Sequence, residues 1–231
     1  MSKSIFITGV SSGIGESLQE ILSSKNEVFS IGRSNPNKVQ PFLDLDLSNI
    51  NNIKNFTFPE IKNDQVWLIN NAGIIGSVEP VFRQDPNQVE MLITTNLTAP
   101  MILSQKFMQS YSGKELKIIN VSSGAAFKPI LSWSSYCTSK AGLEMFSNCI
   151  QAENDFHELN TTVYSIAPGV VDTEMQGEIR SKNAEDFPDL DKFQSLKTDE
   201  QLVSPVLAAE KLIEVVEKNS TGGSFTLRDF Y

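Results

Sequence analysis

The sequence predicts a single α/β domain built on a doubly wound parallel sheet of about seven strands flanked by helices. Short apolar runs alternate with longer segments of helical apolar spacing along the 231 residues, which is typical of parallel strands joined by crossover helices. A glycine-rich turn follows the first apolar run, as in folds of the Rossmann type. Because no repeat or linker interrupts this alternation, we expect one domain over residues 1–231.

The composition argues against several classes of binding partner. The net charge is −9, which argues against nucleic acids and anionic membranes. No apolar run approaches the roughly 20 residues of a membrane span, and no signal peptide is predicted. The chain has only two cysteines and one histidine, so we expect no metal site and a reducing, cytoplasmic location.

The first predicted unit is a strand at Ser4–Thr8, a turn at 9–15 and a helix at 16–23. Glycines in such a turn let the backbone approach a pyrophosphate, and the free N–H groups of the helix favour the anion. The spacing Gly-x-x-x-Gly-x-Gly differs from Gly-x-Gly-x-x-Gly, and a purely structural turn remains an alternative. The candidate cofactor contacts in this turn are Gly9, Ser11, Ser12, Gly13, Ile14 and Gly15.

The second predicted strand, Glu27–Gly32, ends where the ribose of a bound adenosine is expected. NAD sites place a carboxylate here, whereas this chain has Gly32 followed by Arg33. An arginine can pair with a 2′-phosphate through charge-assisted hydrogen bonds, so we predict NADP(H). A solvated surface arginine is the alternative.

The third predicted strand, 42–47, alternates apolar and acidic residues. Asp46 and Leu47 at its end are candidate contacts of the adenine, although Asp46 could equally cap the next helix. The fourth run, 66–69, ends in small residues that leave room for a ligand, and the candidates there are Asn71, Ala72 and Gly73.

A predicted helix at 90–111 contains Asn96, a residue that helix interiors disfavour unless its amide has a partner. A kink that holds a water is the functional interpretation of Asn96. A satisfied core asparagine is the structural one.

The central chemistry-bearing stretch follows a predicted strand at 116–121. Ser123 lies just after the strand tip, and Tyr136 and Lys140 are four residues apart on a predicted helix, so they share a face. An ammonium beside a phenol favours the phenolate, so we expect Lys140 to lower the pKa of Tyr136. Tyr136 is then a candidate proton donor to a reduced carbonyl. Each pair taken alone is also compatible with surface packing or a turn.

The remaining predicted elements are a strand at 161–166, a helix at 208–218 and a strand at 223–227. Between the first two, the polar segment 174–201 is broken by Pro188 and carries scattered apolar anchors. Such a long connection after a strand tip is often a lid over a substrate.

Together these motifs resemble the short-chain dehydrogenase/reductase family from Thr8 to the end of the chain. The resemblance implies that Tyr136 is the acid/base, that Lys140 also binds the nicotinamide ribose, and that Ser123 orients the substrate carbonyl. Asn96 would hold the water of a proton relay. Further implied cofactor contacts, besides Tyr136 and Lys140, are Pro168, Gly169, Val171 and Thr173. The family is commonly a homodimer or homotetramer.

A narrower likeness is to the branch of benzil and sepiapterin reductases, which implies an NADPH-dependent reductase of ketones or vicinal diketones. The implied substrate contacts are Ala125, Phe127, Trp133, Met175 and Asp229. The aromatic residues could instead belong to the core, and Asp229 could be an ordinary exposed carboxylate.

Two other functions stay open from the sequence. The fold could serve a non-catalytic NADP(H)-binding redox sensor or scaffold, although the full set of Ser123, Tyr136, Lys140 and Asn96 favours an enzyme. An NAD-dependent alcohol dehydrogenase is disfavoured by Arg33.

Overall fold

A seven-stranded parallel sheet forms the centre of the protein, seen in a computed structural model that describes residues 2–230. The strands are β1 (Ser4–Thr8), β2 (Glu27–Gly32), β3 (Phe42–Asp44), β4 (Gln65–Asn70), β5 (Glu115–Val121), β6 (Thr161–Ala167) and β7 (Gly223–Thr226). Their order is β3-β2-β1-β4-β5-β6-β7, which confirms the predicted fold class. The order reverses between β1 and β4, and such a switch point opens a ligand crevice at the carboxyl ends of the strands.

Helices cover both faces of this sheet. They are α1 (Gly13–Ser23), α2 (Ile50–Asn55), α3 (Pro86–Ile93), α4 (Ala99–Ser110), α5 (Ser134–His157), α6 (Glu174–Arg180), α7 (Leu190–Thr198) and α8 (Pro205–Lys218). Side chains alternate across each strand. Ile5 and Ile7 of β1 therefore pack in the core under α1 and α8, whereas Phe6 packs on the opposite face with Phe107 of α4.

No helix among the described residues is long and apolar enough to cross a membrane.

Two differences between the predicted and the observed elements bear on the site. β3 ends at Asp44 rather than at 47, because Asp46 turns the chain by accepting hydrogen bonds from Ser48. The helix predicted at 90–111 is two helices, α3 and α4, joined by a π-helical turn at Thr94–Thr98. Such turns occur frequently at functional sites, and this one contains Asn96.

The segment 174–201 contains α6 and α7 and lies against the site end of the sheet. Its apolar anchors Ile179, Phe187 and Phe193 are buried and pack in one cluster with Trp133. Asp186 of the same segment forms an ion pair with Arg83 and accepts a hydrogen bond from Ser132 through its carbonyl oxygen. The segment is therefore packed onto the domain through both apolar and polar contacts.

Candidate active site

A single large cleft runs along the carboxyl ends of the strands and has a volume of about 1400 Å³. Pockets for one small ligand typically measure about 300–1,000 Å³, so the cleft has room for a dinucleotide and a second small molecule. All the predicted cofactor residues line the cleft except Gly15.

The glycine-rich turn between β1 and α1 packs tightly against the residues that follow β4. Gly9 has φ +71°, and a Cβ there would lie 2.8 Å from Ala72 Cα. A Cβ on Gly15 would lie 2.0 Å from the carbonyl oxygen of Gly9. Gly15 thus has a packing role behind the turn, and no other residue fits either position without displacing backbone.

Thr8 and Asn71 join the two loops that border this part of the cleft. Thr8 Oγ1 accepts hydrogen bonds from the backbone N–H groups of Asn71 and Ala72, both at 3.0 Å. In return, Asn71 Nδ2 donates to the carbonyl oxygens of Thr8 and Gly9 at 3.0 and 2.9 Å. These bonds fix the turn in the shape that presents the start of α1 to the cleft.

The first turn of α1 is suited to an anion. Residues Ser11 to Ile14 line the cleft, and the Ser12 side chain makes no capping hydrogen bond to the helix. The unpaired N–H groups and the helix dipole favour a phosphate at such a position. Ser12 Oγ instead donates to Glu174 at the start of α6, at 3.2 Å, so the turn also contacts the predicted lid.

Arg33 and Asp46 lie at the far end of the cleft. Burial raises the pKa of the Asp46 carboxyl, but hydrogen bonds from Ser48 and the charge of Arg33 outweigh this effect, so the pKa is lowered overall. Arg33 is exposed, and among the described residues no carboxylate oxygen lies within 4 Å of its guanidinium. Its charge is therefore available to an anionic ligand.

Ser123, Tyr136 and Lys140 come together at the middle of the cleft. The Tyr136 hydroxyl is hydrogen-bonded to Ser123, whose Oγ also accepts from Ala125 N at 3.1 Å. Lys140 Nζ donates to the Val121 carbonyl oxygen at 2.9 Å and lies 5.8 Å from the centroid of the Tyr136 ring. The spacing of these residues in the sequence thus brings all three to one place.

Burial dominates the titration of this group. It raises the pKa of Tyr136 to about 12, against the opposing effect of the Ser123 hydrogen bond. Burial also lowers the pKa of Lys140 to about 8. The expectation that Lys140 lowers the pKa of Tyr136 is therefore corrected: the net shift is upward, and Tyr136 is a protonated phenol at neutral pH.

Asn96 is fully buried beside the loop that follows β4. Its Oδ1 accepts from Ile74 N at 2.9 Å, and its Nδ2 donates to Ile74 O at 2.8 Å and to Ser139 Oγ at 3.3 Å. The amide thus connects the π-helical turn to the 73–74 loop and to α5. Its role in a proton relay stays a prediction.

Aromatic and aliphatic side chains line the cleft next to Tyr136. Ala125, Trp133 and Met175 are among them, as predicted. Trp133 stacks on Phe187 with a centroid distance of 5.6 Å and contacts Phe193 at 5.3 Å. Aromatic rings therefore cluster at this end of the cleft.

Two predicted substrate residues lie elsewhere. Phe127 is 64% exposed and does not line the cleft, because it ends the 3₁₀ turn Gly124–Ala126 with its ring toward solvent. Asp229 is also exposed and outside the cleft. The 3₁₀ turn Leu227–Phe230 buries Leu227 and places Arg228, rather than Asp229, at the cleft.

Several cleft residues were not predicted from the sequence. Lys128, Ile130, Ile179, Lys192 and Leu196 also line the cleft. The last three belong to the lid segment, whose weak apolar pattern gave no signal of which side chains would face the site. Glu144 was missed as well, although it lies one helical turn after Lys140 on the buried face of α5.

Comparisons with known proteins agree with this geometry. Residues 3–184 match the family model described as short chain dehydrogenase. A benzil reductase of Bacillus cereus, forming (S)-benzoin, is 36% identical over 92% of this chain and 93% of its own length. Sepiapterin reductase of Bos taurus is 34% identical over 72% of this chain and 62% of its own length. A solved short chain dehydrogenase/reductase from Saccharomyces cerevisiae superposes with a TM-score of 0.84 at 25% identity, covering 97% of this chain and 95% of the other.

Gly15→Ala is expected to disrupt the glycine-rich turn, because its Cβ would meet the Gly9 carbonyl oxygen at 2.0 Å. We expect the dissociation constant for NADPH, measured by its fluorescence, to rise at least about 10-fold. Gly177→Ala in α6 is the control, since nothing lies within 4 Å of a Cβ there. Equal NADPH affinity in the two variants would contradict the role given to the turn.

Proposed function

Because the chain belongs to the short chain dehydrogenase family and is thus an oxidoreductase, we propose that it is an NADPH-dependent carbonyl reductase. Its substrate would be a ketone or vicinal diketone, and Tyr136 would be the proton donor. The observation that carries this proposal is the buried Tyr136 phenol, bonded to Ser123 and protonated at neutral pH. Similarity to benzil reductase over nearly the whole chain supports the substrate class.

The residues of the cleft fit a nicotinamide dinucleotide. Gly9 packs against Ala72 with no room for a Cβ, and it lines the cleft where a pyrophosphate would need a close approach to the backbone. Ser11 to Ile14 would hold that pyrophosphate, Asp46 and Leu47 would border the adenine, and Val171 and Thr173 would contact the carboxamide.

Arg33 supports NADP(H) over NAD(H). It lines the cleft as an exposed, unpaired cation, and the preceding residue is Gly32, where a carboxylate for ribose hydroxyls would otherwise lie. A 2′-phosphate would pair with the guanidinium through charge-assisted hydrogen bonds.

The reaction assigns a separate task to each catalytic side chain. When bound, the reduced nicotinamide would supply a hydride to the carbonyl carbon. Ser123 and Tyr136 would donate hydrogen bonds to the carbonyl oxygen, and these bonds strengthen as negative charge grows there. Tyr136 would then transfer its proton to that oxygen. Lys140, held by the Val121 carbonyl oxygen, would bind the nicotinamide ribose.

The apolar end of the cleft suits an aromatic substrate. Trp133 and Phe193 line this end with their ring centroids 5.3 Å apart, and aromatic pairs gain about 0.5–1.5 kcal/mol beyond the burial of area. The segment 174–201 would act as the lid over this end, because its buried side chains Ile179 and Phe193 line it.

The oligomeric state and the cellular location are proposed from a few surface and cysteine residues. Met101 of α4 and Met145 of α5 are exposed, which supports a homodimer or homotetramer through these helices. Both cysteines are free thiols, which fits a reducing cytoplasm.

Tyr136→Phe is expected to lower kcat by a factor of about 10²–10⁴, because the variant has no proton to donate. The affinity for NADPH should stay within about twofold. Tyr111→Phe is a matched control, since it removes a hydroxyl that donates to Pro59 on the far side of α4. A Tyr136→Phe enzyme with most of its activity would refute the assignment.

Arg33→Ala is expected to raise the KM for NADPH about 10-fold or more, because charge-assisted hydrogen bonds contribute about 1.5–3 kcal/mol. The KM for NADH should not rise. Lys38→Ala removes the same charge from the same loop at an exposed position outside the cleft, and it should change neither constant. If the Arg33→Ala variant kept its preference for NADPH, residues other than Arg33 would have to bind the 2′-phosphate.

Reduction is expected to slow as the pH rises through about 8, because Lys140 then loses its charge. Tyr136 keeps its proton over the same range, since its pKa is raised to about 12. The measurement is kcat/KM for the carbonyl at saturating NADPH between about pH 6 and 10. A level profile across this range would show that the charge of Lys140 is not needed.

A further inference from the structure

The last residue of β5 and the two residues that follow it are each hydrogen-bonded to a different turn of α5. Ser123 is bonded to Tyr136, and the Val121 carbonyl oxygen accepts from Lys140. Ser122, between them, donates from Oγ to Glu144 Oε2 at 3.2 Å. The three helix residues are spaced by four, so they form one stripe along the buried face of α5.

Glu144 is the member of this stripe that the proposed reaction does not use. Only 8% of its surface is exposed. Besides Ser122, it accepts hydrogen bonds from Ser165 of β6 and Ser224 of β7, which are partners in the sheet register. An ionised carboxylate only accepts hydrogen bonds, and three hydroxyl donors provide what a buried carboxylate needs.

We propose that Glu144 is a positioning residue for the catalytic group and acts through Ser122. This inference rests on the proposed function. Ser122 adjoins both Val121, which holds Lys140, and Ser123, which contacts Tyr136. Its bond to Glu144 therefore fixes the end of β5 along α5, so that the Ser123 and Tyr136 hydroxyls reach the same carbonyl oxygen. Small misplacements of such groups are costly to turnover.

A purely structural role for Glu144 predicts a different effect of removing its serine partners. If the carboxylate only fastened α5 to the sheet, its bonds to Ser122 and Ser224 would be interchangeable. If it positions the catalytic group, only the bond to Ser122 affects turnover, because Ser224 lies two strands away on β7.

The test compares Ser122→Ala with Ser224→Ala, each of which leaves Glu144 with two hydroxyl donors. We expect Ser122→Ala to lower kcat about 10-fold or more, with the dissociation constant for NADPH unchanged. Ser224→Ala should keep kcat within about twofold of the wild type. Equal losses of kcat in the two variants would overturn the proposal.

Variants of Glu144 itself add a second, independent readout. Glu144→Ala should lower kcat as Ser122→Ala does, and the double variant should be no slower than either single one. Glu144→Gln retains an oxygen that accepts from Ser122 and should recover at least half of wild-type kcat. A double variant in which the fold-loss of kcat is the product of the two single losses would contradict the proposal. Should Glu144→Ala not fold, the two serine variants decide.

Failure of the proposed function is recognised separately, in the wild type. A wild-type protein that reduces no ketone or dicarbonyl with NADPH contradicts the reductase, and the positioning role is then judged from crystal structures. We expect the Ser123–Tyr136 hydrogen bond to be lost in Ser122→Ala and kept in Ser224→Ala. Its retention in both variants would overturn the role of Glu144.

Discussion

The packing of α5 across the end of β5 is the constraint on which the rest of the site depends. Tyr136, Lys140 and Glu144 of this helix contact three consecutive residues, of which the first is the last residue of β5 and the other two follow it. Each of these polar groups is buried with a partner, as the cost of burying an unpaired one requires. The position of α5 therefore decides where the Tyr136 hydroxyl and the Lys140 ammonium lie relative to Ser123.

The same burial shifts the pKa values of both titratable groups without changing their form at neutral pH. It raises the pKa of Tyr136 to about 12 and lowers that of Lys140 to about 8, so at neutral pH the site holds a phenol and an ammonium. A phenol is the form that gives a proton to a reduced carbonyl, which fits reduction as the direction of the reaction. On the other side of the crevice, Gly9 and Gly15 let the loop after β1 pack closely against the loop after β4. This packing presents the start of α1 to the cleft.

The fold, and the meeting of Ser123, Tyr136 and Lys140 in one place, could be predicted because their signals are local. Alternating apolar runs marked the strands, and Tyr136 and Lys140 carried their helical spacing in the sequence itself. The features that could not be predicted from the sequence depend on tertiary packing. The π-helical turn places the Asn96 amide against the backbone of Ile74. Two short 3₁₀ turns decide that Phe127 faces solvent and that Arg228 lies at the cleft. Glu144 was missed because its three serine partners are far apart in the sequence: Ser122 follows β5, Ser165 is in β6 and Ser224 is in β7.

The most direct test of the account is the loss of NADPH absorbance when the purified protein is mixed with benzil, 1-phenyl-1,2-propanedione or sepiapterin, repeated with NADH. We expect turnover of at least one of the three with NADPH and much slower turnover with NADH, because Arg33 lies exposed at the adenosine end of the cleft. Tight binding of NADPH without turnover on these or a wider set of carbonyls would contradict the reductase and favour a cofactor-binding sensor.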